Sequence, residues 1–287
     1  MPIKHIVSFS GGAASFVAAH LAVEKYGREN VLLVFCDTLI EDPDLYRFIE
    51  EGSRALGCEL LRLADGRDPW EVFRDVRYQG NTRTAHCTVE LKGKTFARWL
   101  AATYQPSECV LHFGFDWYEE HRLKEARKNW DPYLCEALLG APPYLSKAQV
   151  HQIIDDYDIE LPRLYGMGFV HNNCGGFCVK AGQSHFANLL EKLPEVYTRH
   201  EKEQERLMEA VPTVRPFLRI VRNKVTHYLT LKQYREHLER GGEFDPSEIG
   251  GCGCFSDASC SVQSIIATDR PPEWESDWDT WRAFILS

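Results

Sequence analysis

The sequence predicts an α/β fold in which a parallel twisted sheet carries helices on both faces. Residues 31–35 form a continuous apolar run, which is typical of a strand buried on both faces. Strand-like segments alternate with segments of helical periodicity, as right-handed crossovers between parallel strands require. This alternation stops near residue 140, so we expect an α/β domain over residues 1–140 and a helical, cysteine-bearing part over residues 141–287.

The segments of the first domain support this alternation. Apolar runs predict strands over residues 6–9, 31–35, 59–63 and 110–113. Helical periodicity predicts helices over residues 16–26, 42–56 and 119–128. Asp42 and Pro43 suit the N-cap and first turn of the second helix.

The second part of the chain is expected to be mostly helical. Helical patterns cover residues 147–157, 187–210 and 231–240. A loop rich in glycine, asparagine and cysteine separates the first two, over residues 161–182. An irregular tail follows Gly241.

Composition and charge limit the class of protein. The 287 residues carry a formal net charge of −9, which argues against a general nucleic-acid coat protein but leaves room for a local basic groove. The chain has neither an apolar run long enough to span a bilayer nor a signal-peptide core. We therefore expect a cytoplasmic protein without a membrane partner.

A glycine-containing loop follows the first predicted strand. Its residues, Ser10-Gly11-Gly12-Ala13-Ala14-Ser15, lead directly into the first predicted helix. Two glycines let the backbone approach an anion, and the free N–H groups of the helix start point at it. The spacing is neither that of a Walker loop nor that of a dinucleotide fold. The segment therefore predicts a phosphate site at the carboxyl end of the sheet, where Ser10 and Ser15 add hydroxyl donors.

The second strand ends in Cys36-Asp37-Thr38, at the same edge of the sheet. A carboxylate at this place suits a ribose hydroxyl or Mg²⁺, and a loop or capping aspartate is the alternative. We therefore count Asp37 and Thr38 among the candidate nucleotide-binding residues.

Five segments, in order, resemble known proteins. The glycine loop resembles the PP-loop of the ATP pyrophosphatase superfamily, which binds a diphosphate and cleaves between the α and β phosphates. Four later segments resemble phosphoadenosine phosphosulfate (PAPS) reductase-like proteins, namely residues 83–92, 114–122, 161–168 and 173–178.

This resemblance implies an adenine nucleotide alpha hydrolase-like fold and a site for ATP or PAPS with Mg²⁺. It places Arg83, Lys92, Glu119 and Arg122 at the catalytic centre, where the cations offset phosphate charge. The nucleotide-binding candidates are Ser8, Ser10, Gly11, Gly12, Ser15, Asp37, Thr38 and Gly114.

The chain has ten cysteines, and a reducing cytosol disfavours five disulfides. Several fall into glycine-flanked groups, and the family's iron–sulfur members use cysteines at the positions of Cys87, Cys174 and Cys178. Four thiolates suit a [4Fe–4S] cluster or Zn²⁺, while structural thiols or a redox disulfide are the alternatives. The metal-ligand candidates are Cys87, Cys174, Cys178, Cys252, Cys254 and Cys260.

The resemblance implies an enzyme that cleaves ATP to AMP and pyrophosphate to adenylate a substrate, for sulfur transfer or nucleobase modification. Its expected partners are an adenine nucleotide, a nucleic-acid or small-molecule acceptor, and a sulfur donor protein. A PAPS or adenylyl-sulfate reductase and a non-catalytic nucleotide sensor are the alternatives. The reductases carry a C-terminal Glu-Cys-Gly-Leu-His motif, whereas the last cysteine here is Cys260 in Ala-Ser-Cys-Ser.

Overall fold

A computed structural model describes residues 2–81, 83–222 and 224–251. Within them a five-stranded parallel sheet has the order β3-β2-β1-β4-β5. The strands are β1 (Lys4–Ser8), β2 (Val31–Asp37), β3 (Glu59–Ala64), β4 (Cys109–His112) and β5 (Leu134–Glu136). The predicted α/β class is confirmed, and the four predicted strands are β1 to β4.

Helices cover both faces of this sheet. They are α1 (Ala13–Tyr26), α2 (Pro43–Leu56), α3 (Pro69–Val76), α4 (Thr95–Thr103) and α5 (Glu120–Asn129). On one face, Phe16 and Phe48 of α1 and α2 pack against Leu33. On the other face, residues of α4 and α5 pack against Ile6 and Leu111. The strands in the middle of the sheet are therefore buried on both sides, which explains their continuous apolar runs.

A π-helix, Thr88–Lys94, runs directly into α4. The helices predicted from the sequence do not include this segment. The hydroxyl of Thr95 donates to the carbonyl of Glu90 at 3.1 Å, which satisfies a carbonyl near the wider turn. π-Helical turns are rare in proteins, and those that occur are often found at functional sites. This segment is therefore a candidate for part of a functional site.

The C-terminal part is more varied than predicted. Its helices are α6 (Lys147–Asp155), α7 (Arg163–Gly166), α8 (Gln183–Lys192), α9 (Pro194–Ala210) and α10 (Leu231–Glu239). Residues 187–210, expected to be mostly helical, are helical apart from a break at Leu193, which precedes Pro194 at the start of α9. An antiparallel hairpin of β6 (Leu218–Arg222) and β7 (Val225–Leu229) was also not predicted.

The predicted domain boundary at residue 140 stays a prediction. Val150 and Ile154 of α6 pack into the core that surrounds α1, whereas α8 to α10 pack in another core that includes Trp70 and Phe73 of α3. In the described residues, every helix is too short or too polar to cross a bilayer.

The core of the C-terminal part contains a buried histidine, His200. Its ring stacks on Phe177 with centroids 4.1 Å apart, and its Nδ1 accepts a hydrogen bond from the Trp70 indole at 3.0 Å. An imidazole that accepts through Nδ1 is neutral. Burial lowers the pKa of His200 to about 3.

We expect stability to fall in mild acid because of this residue. The pKa of a histidine in an unfolded chain is about 6.5, so below that value the unfolded state binds more protons than the folded state. The free energy of unfolding should therefore fall from about pH 6.5 towards pH 3, with His200 contributing a slope of up to about 1.4 kcal/mol per pH unit. Urea denaturation between pH 7 and pH 5 should show a shallower slope for His200→Gln than for the wild type. An unchanged slope in His200→Gln, matching the exposed control His227→Gln, would contradict this prediction.

Candidate functional site

A pocket of about 380 Å³ opens at the carboxyl ends of β1 and β4, the neighbouring strands in the middle of the sheet. Ligands of open parallel sheets bind at this edge. Its walls come from the loops after both strands, from the π-helix, and from segments near residues 165–173 and 250. The described lining residues are Ser8, Ser10, Gly12, Ala14, Ser15, Lys92, Phe113, Gly114, Phe115, Glu119, Arg122, Tyr165, Val170, His171, Asn172, Asn173, Gly250 and Gly251.

The glycine loop forms one wall, and its two glycines do different things. Gly11 has a φ of +78°, and a Cβ there would lie 2.7 Å from Leu45, so this glycine makes the turn and packs on α2. Gly12 has an extended backbone, precedes α1 and lines the pocket. Helix α1 thus presents its amino end to the pocket, which favours an anion there.

Close packing explains why the chain has a glycine, Gly114, shortly after β4. A Cβ on Gly114 would lie 2.9 Å from the backbone of Ala14 and Ser15, so only glycine lets the first turn of α1 approach this strand end. The hydroxyl of Ser15 donates to the carbonyl of Gly12 at 2.7 Å. In this structure Ser15 therefore braces the loop, a role that its prediction as a phosphate donor did not include.

Two side chains from the C-terminal part brace the same loop. The N–H of Ala13 donates to the hydroxyl of Tyr165 at 3.3 Å, and the amide of Asn172 donates to the carbonyl of Gly11 at 3.3 Å. The segment over residues 161–182, expected to be a loop, thus completes the pocket.

Lys92 lies on the π-helix and is buried beside Glu41, with Nζ 3.6 Å from Oε1. Glu41 also accepts hydrogen bonds from the hydroxyl of Thr38, at 3.0 Å, and from the N–H of Cys174. Burial raises the pKa of Glu41, and these three donors offset part of that shift. The arrangement holds the Lys92 ammonium at the pocket wall through a fully buried carboxylate.

Arg122 and Glu119 form the second charged pair of the pocket. The guanidinium donates to the carboxylate of Glu119, and it lies 4.3 Å from the centroid of the Phe115 ring. The other oxygen of Glu119 accepts the N–H of Asp116 in a capping box. Each contact restricts the orientation of the guanidinium.

Three of the sequence candidates are placed differently. Asp37 is fully buried, and its carboxylate binds Arg62 at 2.7 Å and Tyr46 at 3.0 Å. These partners occupy it, so the predicted role towards ribose or Mg²⁺ needs correction. Thr38 is occupied by Glu41, and Arg83 is exposed on a turn and is not among the described lining residues.

Three of the six predicted metal-ligand cysteines lie together in the described residues, and their role as metal ligands stays a prediction. Cys87, Cys174 and Cys178 line one small apolar cavity of about 20 Å³, although Cys87 is distant in sequence from the other two. Within the described ranges, no group of three or more His, Cys, Asp or Glu side chains is arranged to hold a metal ion. Cys252, Cys254 and Cys260 lie outside the described residues.

Sequence reasoning missed the pocket residues His171 and Asn172. Both lie in the segment predicted as a loop, where a lone histidine beside asparagines follows no motif. The Phe113 and Phe115 rings, stacked with centroids 5.3 Å apart, were also not among the candidates. No pattern in one sequence would have indicated these residues.

A larger cavity lies elsewhere, along α9. This groove of about 520 Å³ is lined by residues of that helix alone, mostly charged, including Glu195, Arg199 and Arg206. It is open, and no glycine loop or strand end contributes to it. We therefore place the candidate site in the smaller pocket, where groups from several elements converge.

Comparison with protein families addresses the resemblance directly. Residues 4–101, from β1 into α4, match the family model of the phosphoadenosine phosphosulfate reductase domain. The family resemblance is confirmed. The matched range contains the glycine loop and Lys92, whereas Glu119 and Arg122 lie beyond it. No curated protein matches the chain in sequence.

Solved structures with a similar fold have low sequence identities and low TM-scores. A PAPS reductase from Candida auris is 13% identical, with a TM-score of 0.39 over 59% of this chain and 79% of that one. A predicted tRNA methyltransferase subunit from Methanocaldococcus jannaschii is 22% identical, with a TM-score of 0.34 over 54% and 74%. An NH3-dependent NAD synthetase from Campylobacter jejuni is 12% identical, with a TM-score of 0.34 over 73% and 83%.

Proposed function

We propose that the chain is a cytoplasmic enzyme that binds ATP in this pocket, cleaves it to AMP and pyrophosphate, and adenylates a substrate. The observation that carries the proposal is the convergence of the amino end of α1, Lys92 and Arg122 on one pocket. These groups suit a triphosphate, because they can stabilise the negative charge that develops on the leaving pyrophosphate.

Each group has a separate task in this proposal. The loop from Ser10 to Ser15 holds the β and γ phosphates through backbone N–H groups. Lys92 and Arg122, each held by a carboxylate, offset the charge on the departing pyrophosphate. Mg²⁺ would be bound through the phosphates, because Asp37 is occupied by Arg62.

An exposed aromatic surface supports a role for a flat acceptor. Trp117, Tyr118 and Tyr144 are 39%, 70% and 57% exposed, and the Trp117 ring lies 5.6 Å from that of Tyr144. Trp117 and Tyr118 immediately precede the pocket residue Glu119. Exposed aromatic rings stack on nucleobases, so we favour a nucleobase, free or in a nucleic acid, over other small-molecule acceptors.

Sulfur transfer is the second step of the proposal. Adenylation converts an oxygen of the acceptor into part of a leaving AMP, and a sulfur nucleophile from a donor protein then displaces it. The cavity lined by Cys87, Cys174 and Cys178 lies next to Glu41, through the N–H of Cys174. The described thiols do not fit a metal site by themselves, so no step depends on [4Fe–4S] or Zn²⁺.

Radiolabelled ATP tests this function. With label at the γ position we expect labelled pyrophosphate, in amounts that rise when nucleobases or single-stranded RNA or DNA are added. With label at the α position we expect a labelled adenylated acceptor, and labelled AMP once a sulfur nucleophile is supplied. Release of orthophosphate alone would contradict the proposal. Sulfite release from PAPS with thioredoxin would instead identify a reductase, and binding without turnover of either nucleotide would identify a sensor. Anaerobic purification followed by iron, sulfide and zinc analysis shows separately whether the protein contains an iron–sulfur cluster or Zn²⁺.

A further inference from the structure

His171 is a half-buried residue on the wall of the pocket. Both of its ring nitrogens are shielded from solvent, and neither has a hydrogen-bond partner among the described residues. The ring stacks on His185 with centroids 5.3 Å apart, and His185 is in turn bonded to the carbonyl of Gly176 at 2.7 Å. Buried polar atoms without partners are rare in folded proteins, and the residue that carries these two lines a cavity that a ligand can enter.

The other charges of the pocket cancel. Lys92 is paired with Glu41, and Arg122 is paired with Glu119. Among the described lining residues, His171 is therefore the basic side chain that has no carboxylate beside it. A diphosphate that enters this pocket brings several negative charges, which the two paired cations offset only partly.

In the ligand-free protein the imidazole is neutral. Burial lowers the pKa of His171 to about 4, and the nearby His185 and Lys92 lower it as well. A phosphate within hydrogen-bond distance reverses this balance, because a close negative charge favours the protonated ring. The protonated ring then offers two N–H donors to phosphate oxygens.

We propose that His171 binds the diphosphate of the nucleotide and takes up a proton from solvent as it does so. The proposal rests on the proposed function only in that the same pocket receives the nucleotide. The pKa of His171 is higher in the complex than in the free protein, so the affinity gains a contribution that grows as the pH falls from the bound pKa towards the free value of about 4. The titratable and charged groups around His171 are His185, Lys92 with Glu41, and Arg122 with Glu119.

Calorimetry with inorganic pyrophosphate tests the proposal. Titrations at pH 7 in HEPES and in Tris, which have different ionisation enthalpies, give the number of protons taken up on binding. We expect the wild type to take up as much as about one proton more than His171→Asn, and to bind pyrophosphate about tenfold more tightly. The neighbour variant Asn172→Ala should change affinity without changing the proton count, and the exposed His227→Asn should change neither.

Equal proton counts for the wild type and His171→Asn would overturn the proposal. His171→Gln serves as a second variant if the first one does not fold, and the same equality would overturn the proposal there. The pocket assignment is tested separately with Gly12→Val. If that variant binds pyrophosphate like the wild type, the nucleotide site is wrong, whereas loss of binding there with unchanged protons in His171→Asn rejects only the role of His171.

Discussion

A Gly12→Val variant is expected to fold and to lose at least about 100-fold in affinity for ATP. Gly12 has an extended backbone that any residue adopts, so the substitution does not strain the chain. Its Cβ would lie 3.3 Å from the hydroxyl of Tyr165, at the pocket wall, and the larger side chain would fill the space of the phosphate. The magnitude corresponds to two lost charge-assisted hydrogen bonds, at about 1.5–3 kcal/mol each.

Calorimetric titration with ATP checks this expectation, and smaller substitutions supply the controls. Gly12→Ala should bind with intermediate affinity. Gly140→Ala lies outside the pocket, where a Cβ meets nothing closer than 3.7 Å, and should bind like the wild type. Gly11 is unsuitable, because a Cβ there would clash with Leu45 and disturb the fold. Wild-type affinity in Gly12→Val would place the nucleotide elsewhere.

Lys92→Met is expected to remove ATP cleavage and to destabilise the protein by about 3–5 kcal/mol. The destabilisation follows because the substitution leaves Glu41 buried without its cation, with only the Thr38 hydroxyl and the Cys174 N–H as donors. The activity loss follows because Lys92 is the buried cation at the pocket wall.

A double variant separates these two effects. Lys92→Met with Glu41→Gln removes both charges of the pair, so urea denaturation should show stability close to that of the wild type. Pyrophosphate release should stay absent, whereas Glu41→Gln alone should retain part of it. If the double variant regained both stability and activity, Lys92 would have a structural role only.

The middle strands of the sheet could be predicted from the sequence because they are buried on both faces. The runs that form β2 and β4 are apolar at almost every position, and the fold buries all of those residues. Strand β5 has three residues, two of them partly or fully exposed, and carries no such pattern. The hairpin of β6 and β7 was missed for the same reason, since the residues of β7 are mostly exposed.

The site could be predicted only where local geometry needs particular residues. The glycine loop was evident, because a turn with φ of +78° at Gly11 and an approach at Gly114 both require glycine. The partner of Asp37 could not be predicted, because Arg62 reaches Asp37 from the neighbouring strand and nothing local in the sequence indicates that pairing. His171 reaches the pocket only through long-range packing, which one sequence does not reveal.

A crystal structure with an ATP analogue whose α and β phosphates are joined by methylene tests the central claim most directly, because the analogue binds without being cleaved. We expect its β and γ phosphates against the N–H groups between Ser10 and Ser15, with the side chains of Lys92 and Arg122 beside them. An analogue bound elsewhere, such as in the groove along α9, with this pocket empty at saturating concentration, would contradict the account.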